Sequence, residues 1–169
     1  HILVAFTEFA KVVRAIDTQR PITSGNSMPR AFAERIRQSK KWVPIDTPTE
    51  FQYNLALVNP GNLNLLSVHL YPDHRMENRF KKDTNASYFD LLTAAKEAGV
   101  REGKPLFLGE FGASLRTLKS DREVRIEFDQ LLNAIEKSGV DLAAVWNFDF
   151  ANKQSEGQVL YTITRDNPR

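Results

Sequence analysis

The sequence predicts an α/β fold of parallel β/α units, and three observations predict it. First, four short apolar runs lead into polar or aromatic residues: Pro21-Ile22-Thr23-Ser24-Gly25, Leu65-Leu66-Ser67-Val68, Pro105-Leu106-Phe107-Leu108 and Leu142-Ala143-Ala144-Val145. Runs this short, bounded by turn signals, read as buried strands rather than helices. Second, strand starts at Ile22, Leu66, Leu106 and Ala143 are 44, 40 and 37 residues apart. That interval fits strand, loop, helix and loop, the repeating unit of a parallel sheet. Third, chemically competent residues stand just past the runs: Asn26, His69 with Tyr71, Glu110, and Trp146. In a parallel β/α architecture the C-terminal strand ends share one face, and active sites are built there. Strands are expected over 22–25, 65–69, 106–110 and 143–147, with helices on one outer side.

The elements between follow in order. Phe6, Phe9, Val13 and Ile16 fall at helical spacing and predict an amphipathic helix ending near Asp17. Arg20-Pro21 opens the first strand. Pro29 suits the first turn of a second helix, with Phe32 and Ile36 on one face. Thr47-Pro48-Thr49-Glu50 has the form of a capping box with proline at the first helical position, and predicts a short helix to about Val58. Asn59-Pro60-Gly61-Asn62 is a stop and turn. The polar stretch 71–85 reads as a long loop, a length that in compact domains goes with function or mobility. A helix over 87–98 is expected to close on Gly99. Ser120 and Glu123 form another capping pair, opening a helix with Val124, Phe128, Leu131 and Ile135 inward and an end by Gly139. After Trp146 come a polar loop, 152–157, and a short strand or extended return, 159–163.

The composition suits one soluble domain: 169 residues, 41% hydrophobic and 26% charged, are enough for a sizeable core. Lys and Arg total 23 against 21 Asp and Glu, a formal charge of +2, which gives no case for nucleic acid or an anionic membrane as partner. Mixed clusters such as Arg79-Phe80-Lys81-Lys82-Asp83 read as solvated surface. The absence of cysteine excludes disulfides, thiolate catalysis and thiolate metal sites. No apolar run approaches the ~20 residues of a membrane span. His1-Ile2-Leu3-Val4-Ala5-Phe6 lacks the basic start and cleavage site of a signal peptide, and the missing initiator Met suggests an excised segment. Asn85-Ala86-Ser87 is a lone glycosylation sequon, relevant only to a secreted eukaryotic protein.

Four β/α units are half of what a closed eight-fold barrel of about 250 residues needs. The chain is therefore either an open sheet complete in itself or the second half of a barrel. It starts inside a predicted helix and ends at Asp166-Asn167-Pro168-Arg169 with no final helix, which favours the half-barrel.

Gly109-Glu110-Phe111-Gly112 after an apolar strand, His69-x-Tyr71 on the strand before it and Trp146 on the strand after it resemble the C-terminal half of cellulase-type glycoside hydrolases, family 5 and related members of the clan of retaining β/α barrels. The stretch from Arg14 to Asn26 looks like that family's fourth helix and fifth strand, and Asp166-Asn167-Pro168-Arg169 like its close after strand eight. The resemblance covers nearly the whole chain. It implies one partial domain over 1–169, about strands five to eight of a truncated TIM (β/α)8 barrel. It implies a retaining hydrolase of β-linked glucan or mannan, needing no cofactor or metal. In that reading Glu110 is the nucleophile, Tyr71 donates a hydrogen bond to it, and His69 lines the site. Trp146 is the floor under a sugar ring, and Asn26, Asp73, His74, Asn147 and Asp149 are candidates for sugar hydroxyls. The family also uses an acid/base Glu in an Asn-Glu-Pro type motif after strand four. No such pair occurs: Glu77-Asn78 has the reverse order, and Glu8 lies in the first predicted helix. The upstream half of the barrel, or self-association, is then the expected partner, with a carbohydrate substrate and a secreted or periplasmic location. The chain alone is expected to be inactive.

Other readings stay open at this level. Glu110 could be a structural carboxylate, His69 a satisfied buried histidine, Tyr71-Pro72 a strand terminator and Trp146 a core residue. The set as a whole also fits a non-catalytic carbohydrate-binding module. His69, His74, Glu110 and Asp149 could instead supply nitrogen and oxygen ligands for a metal-dependent hydrolase, although no His-x-His or His-x-x-x-His pair is present.

Overall fold

The computed structural model describes residues 2–39, 46–73, 79–80, 86–114 and 118–147. Helices α1 (Ile2–Ile16), α2 (Ala33–Ser39) and α3 (Pro48–Val58) precede strand β1 (Leu66–Leu70). Helix α4 (Tyr88–Glu102), strand β2 (Leu106–Phe111), helix α5 (Asp121–Ser138) and strand β3 (Leu142–Val145) follow in alternation. The three strands form one parallel sheet in the order β1-β2-β3. Alternation of strands and helices gives an α/β fold, as the spacing predicts.

The core lies between the sheet and α3, α4 and α5. Leu66, Val68 and Leu70 on β1, and Leu106 and Leu108 on β2, are fully buried against Phe51 and Leu55 of α3. Leu91, Leu92, Ala95 and Ala98 of α4, with Val124, Phe128 and Leu131 of α5, complete that layer. On β1 and the first part of β2 the even-numbered positions thus face the helices. A second, small cluster joins Phe6, Ala10 and Val13 of α1 to Ile22 and Leu63. Phe9 and Ile16, expected on the same inward face, are instead 50% and 85% exposed.

The starts of α3, α4 and α5 follow the sequence closely. Thr47 and Glu50 form a reciprocal capping box, as do Ser87 and Asp90, which each satisfy two amides that the first helical turn leaves free. At α5 only half of the box forms. The Ser120 hydroxyl accepts from Glu123, but the Glu123 carboxylate accepts from the amide of Lys119 instead.

Four local expectations are corrected. The segment 22–25 is not a ladder strand: it lies extended beside the start of β1, where the Ile22 carbonyl accepts from Asn64 and Leu65. Side chains take over the pairing there. Ser24 bonds Asn59, the Asn26 amide N–H bonds Ser24, and Gly25 turns at φ 66. The second helix begins at Ala33 rather than at Pro29, because Phe32 adopts φ 59 with its N–H on the Asp46 carboxylate. Helix α4 runs past Gly99 and closes on Gly103. Gly99 is inside the helix because a Cβ there would lie 2.7 Å from the Lys104 carbonyl oxygen, so only glycine allows that approach. Finally, Arg79 is not solvated surface. It is 1% exposed, paired with Asp46. The expected elements beyond Asn147, and residues 74–78 and 81–85 of the long loop, lie outside the described residues.

Candidate active site

Strand β1 delivers His69 and Tyr71 at its C-terminal end, and the neighbouring β2 delivers Glu110 at the same end. The Tyr71 hydroxyl donates to Glu110 Oε2 at 2.7 Å. His69 Nδ1 lies 3.3 Å from the same oxygen. The His69 side chain is 17% exposed and the Glu110 side chain 31%, so the group sits at the rim of the sheet, partly desolvated and open to one side.

Glu110 reaches that position because of an irregularity in β2. In the first part of the strand Leu66 pairs with Leu106 and Val68 with Leu108; the next pair is His69 with Glu110. Gly109 is the extra residue. On the other edge the same slip appears, with Leu108 opposite Ala143 and Phe111 opposite Val145. Side chains alternate across a strand, so an unbroken β2 would send Glu110 into the helix-facing layer with Leu106 and Leu108. The bulge shifts that parity. Glu110 joins His69 on the open face, and Phe111 packs in the core against Phe128 at 5.9 Å between ring centroids. Gly109 also makes room. A Cβ there would lie 3.2 Å from His69 Nε2 and 3.3 Å from Cδ2, so the imidazole rests against bare backbone.

Trp146 follows β3, its N–H donating to the Phe111 carbonyl at 2.8 Å, and it is 39% exposed. Its peptide bond to Asn147 is cis, a feature that nothing in the sequence announces. Asn147 is buried and Asp73, two residues past Tyr71, is exposed. Asn26 is engaged elsewhere: its side-chain amide donates to the Val58 carbonyl at the end of α3, at 2.7 Å. His74 and Asp149 lie outside the described residues. Among the described residues no group of three or more His, Cys, Asp and Glu is placed to hold a metal ion. The structure therefore brings together Glu110, Tyr71 and His69. It places Trp146 at the end of the next strand and ties Asn26 to a helix terminus. The bulge at Gly109 is the part that sequence reasoning missed. Its one signal is the glycine directly before the carboxylate.

Chemically, a carboxylate with one oxygen fixed by a phenol and an imidazole is held in one orientation, the prerequisite for attack or for electrostatic stabilisation.

A family model described as cellulase (glycosyl hydrolase family 5) matches residues 2–152. Comparison with curated proteins finds no match. Among solved structures, the hyperthermostable endo-1,4-β-D-mannanase of Thermotoga petrophila RKU-1, determined with maltose and glycerol, is similar over 98% of this chain with a TM-score of 0.60 and 13% identity. An endo-β-1,4-mannanase structure from Thermotoga petrophila gives 0.56 and 13% over 98% of this chain and 37% of its own. A β-D-glucuronidase for Dictyoglomus thermophilum gives 0.50 and 18% over 96% of this chain and 26% of its own. At these identities the likeness is one of fold: parallel β/α units arranged as in part of a TIM barrel. The chain spans about half, 48%, of the length of the first mannanase structure.

Proposed function

The chain belongs to the cellulase family, glycosyl hydrolase family 5, and on that premise we propose that it carries the nucleophile half of a retaining glycosidase. Its substrate is a β-linked glucan or mannan. The domain over 1–169 corresponds to about strands five to eight of the barrel. The observation that carries this reading is the contact of the Tyr71 hydroxyl with Glu110 at 2.7 Å, on adjacent parallel strand ends.

Glu110 is the nucleophile. Both contacts at its carboxylate use Oε2, which leaves Oε1 to attack the anomeric carbon and form a glycosyl ester. Tyr71 holds the carboxylate oriented through its hydrogen bond to Oε2. His69 fills the wall beside the reacting sugar. The half-exposed indole of Trp146 offers its face to the C–H groups of a sugar ring. Asp73, Asn147, His74 and Asp149 are the candidates for sugar hydroxyls, and Asn26, with one side-chain N–H given to the Val58 carbonyl, is a further one. Retention needs a second carboxylate about 5 Å away to protonate the leaving oxygen and then activate water. The upstream half of the barrel supplies it, and also covers the apolar residues that α1 leaves exposed.

Hydrolysis of glucan and mannan tests this. These 169 residues alone are expected to be inactive, for want of a proton donor to the leaving oxygen. Joined to the upstream half of the barrel they are expected to turn over. Glu110→Gln then abolishes turnover while sugar binding is largely kept, because an amide cannot form the ester. Unchanged turnover in Glu110→Gln removes the nucleophile assignment. Binding with no turnover in the joined protein makes this a carbohydrate-binding module.

A further inference from the structure

The excursion that leaves β1 carries Tyr71 at its near end, and at Arg79 it is buried against the body of the protein. Arg79 and Asp46 are each 1% exposed, with Nη1 3.4 Å from Oδ2. The guanidinium also donates to the Pro29 carbonyl and lies 5.4 Å from the centroid of the Phe51 ring. Asp46 belongs to a different segment, between α2 and α3, directly before the Thr47 cap of α3. Its carboxylate accepts the N–H of Phe32, and its carbonyl accepts the N–H of Phe80 at 2.9 Å. Asp46 and Arg79 form an isolated parallel bridge as well, so backbone and side chains join the same two loops. The connection that carries Arg79 leaves β1 at the end where His69 stands opposite Glu110.

The backbone at this junction is unusual. Phe32 at φ 59 and Phe80 at φ 65 are the only non-glycine residues with positive φ among the described residues, and both donate to Asp46. A bulky side chain in the left-handed region costs energy and persists only where the surroundings enforce it. A buried ion pair is also a poor way to gain stability, since apolar residues of similar volume do as well or better. Two strained phenylalanines on one buried pair are better explained by geometry that the site requires.

We propose that Asp46 and Arg79 are a positioning pair that locks two neighbouring loops into one wall and so holds Tyr71 on Glu110. The inference rests on the reading of Tyr71 and Glu110 as the reacting pair. It assigns to Asp46 and Arg79 no contact with substrate. They act along the chain, by tying Arg79, which lies in the same connection as Tyr71, to the body of the protein.

Fluorine NMR of the protein labelled with 3-fluorotyrosine reads this without any turnover. Tyr71→Phe assigns the Tyr71 signal, and Glu110→Gln marks where it moves when its acceptor changes. In the double variant Asp46→Leu with Arg79→Met, which leaves no charge buried, the Tyr71 signal is expected to move towards the Glu110→Gln position. The Tyr88 signal, whose hydroxyl donates to Glu127 at 2.6 Å, stays where it was and reports an intact fold. A folded double variant with Tyr71 at its original position overturns the proposal. The unaltered protein gives a second reading. The amides of Phe32 and Phe80 are expected to exchange with deuterium about 100-fold or more slower than free peptide; exchange at open-loop rates overturns the lock. Failure of the functional reading is distinguishable, because it appears as no hydrolysis by the joined protein while the fluorine response persists.

Discussion

The centre of the sheet and the α1 flank are built from the same kinds of residue and differ in what covers them. On β1 and β2, Leu66, Val68, Leu70, Leu106 and Leu108 are 0% exposed. On α1, Ile2, Val4, Phe9, Val12 and Ile16 are 50% to 85% exposed, and Leu142 at the start of the edge strand β3 is 50% exposed. The centre brings its own cover, three amphipathic helices on one face. The flank leaves apolar side chains in contact with solvent, and such exposure, where it is contiguous, is the usual mark of a contact surface. Glu110, Tyr71 and His69 stand at the ends of the paired strands β1 and β2, where the register is pinned.

The comparison can be broken first by truncation at its two ends. Leu108→Ala is expected to lower unfolding free energy by about 3 kcal/mol, because the cavity lies in a fully packed layer. Ile16→Ala, at 85% exposure, is expected to change it by no more than about 0.5 kcal/mol. Urea unfolding of the two variants decides, and equal losses would mean that α1 is packed in solution. Gly109→Ala comes next, at about 1–3 kcal/mol, since the new methyl overpacks the His69 ring. The same variant is expected to shift the His69 ring resonances; an unmoved ring would remove the bulge from the account. Ser87→Ala should cost about 1 kcal/mol through the lost cap of α4.

The smallest effect is electrostatic. Asp141 joins the three central elements: its carboxylate accepts from Lys96 on α4 and from the Leu106 N–H at the start of β2. The Lys96 hydrogen bond, opposed in part by burial, holds its carboxyl below the usual carboxylate range. A group with a depressed folded pKa stabilises the fold above its unfolded pKa and loses that contribution as pH falls through the folded value. Stability should therefore decline below about pH 4, and Asp141→Asn should flatten that decline. Screening at this half-exposed site keeps the difference under about 1 kcal/mol.

Much of this was legible in the sequence, for physical reasons. Capping pairs are local, so Thr47 with Glu50 marks a helix start without tertiary knowledge, and Ser120 with Glu123 does so even though only half of that box forms. Parallel strand ends share one end of the sheet, so strand order alone places His69, Tyr71 and Glu110 at that end, while the face that Glu110 takes depends on the bulge at Gly109. What escaped depends on contacts between distant segments. The parity change at Gly109 is set by the partner strands, and Gly99 reads as a helix stop until β2 approaches it. Arg79 sits in a charged run, and only its encounter with Asp46 takes it out of water. The ladder lost at 22–25 is a competition that Ser24 and Asn26 win locally, hidden behind a residue pattern that otherwise suits a strand.

The central claim, that Glu110 is the nucleophile of a retaining glycosidase, is tested most directly by trapping its ester. A 2-deoxy-2-fluoro-β-mannoside or cellobioside with a dinitrophenolate leaving group needs no proton from the acid/base partner, so bond cleavage depends on the nucleophile. The joined protein is expected to release one dinitrophenolate per active site in a burst and to carry the fluorosugar on the peptide containing Glu110. A sugar adduct on any other carboxylate, or a burst of the same size from Glu110→Gln, would contradict the account.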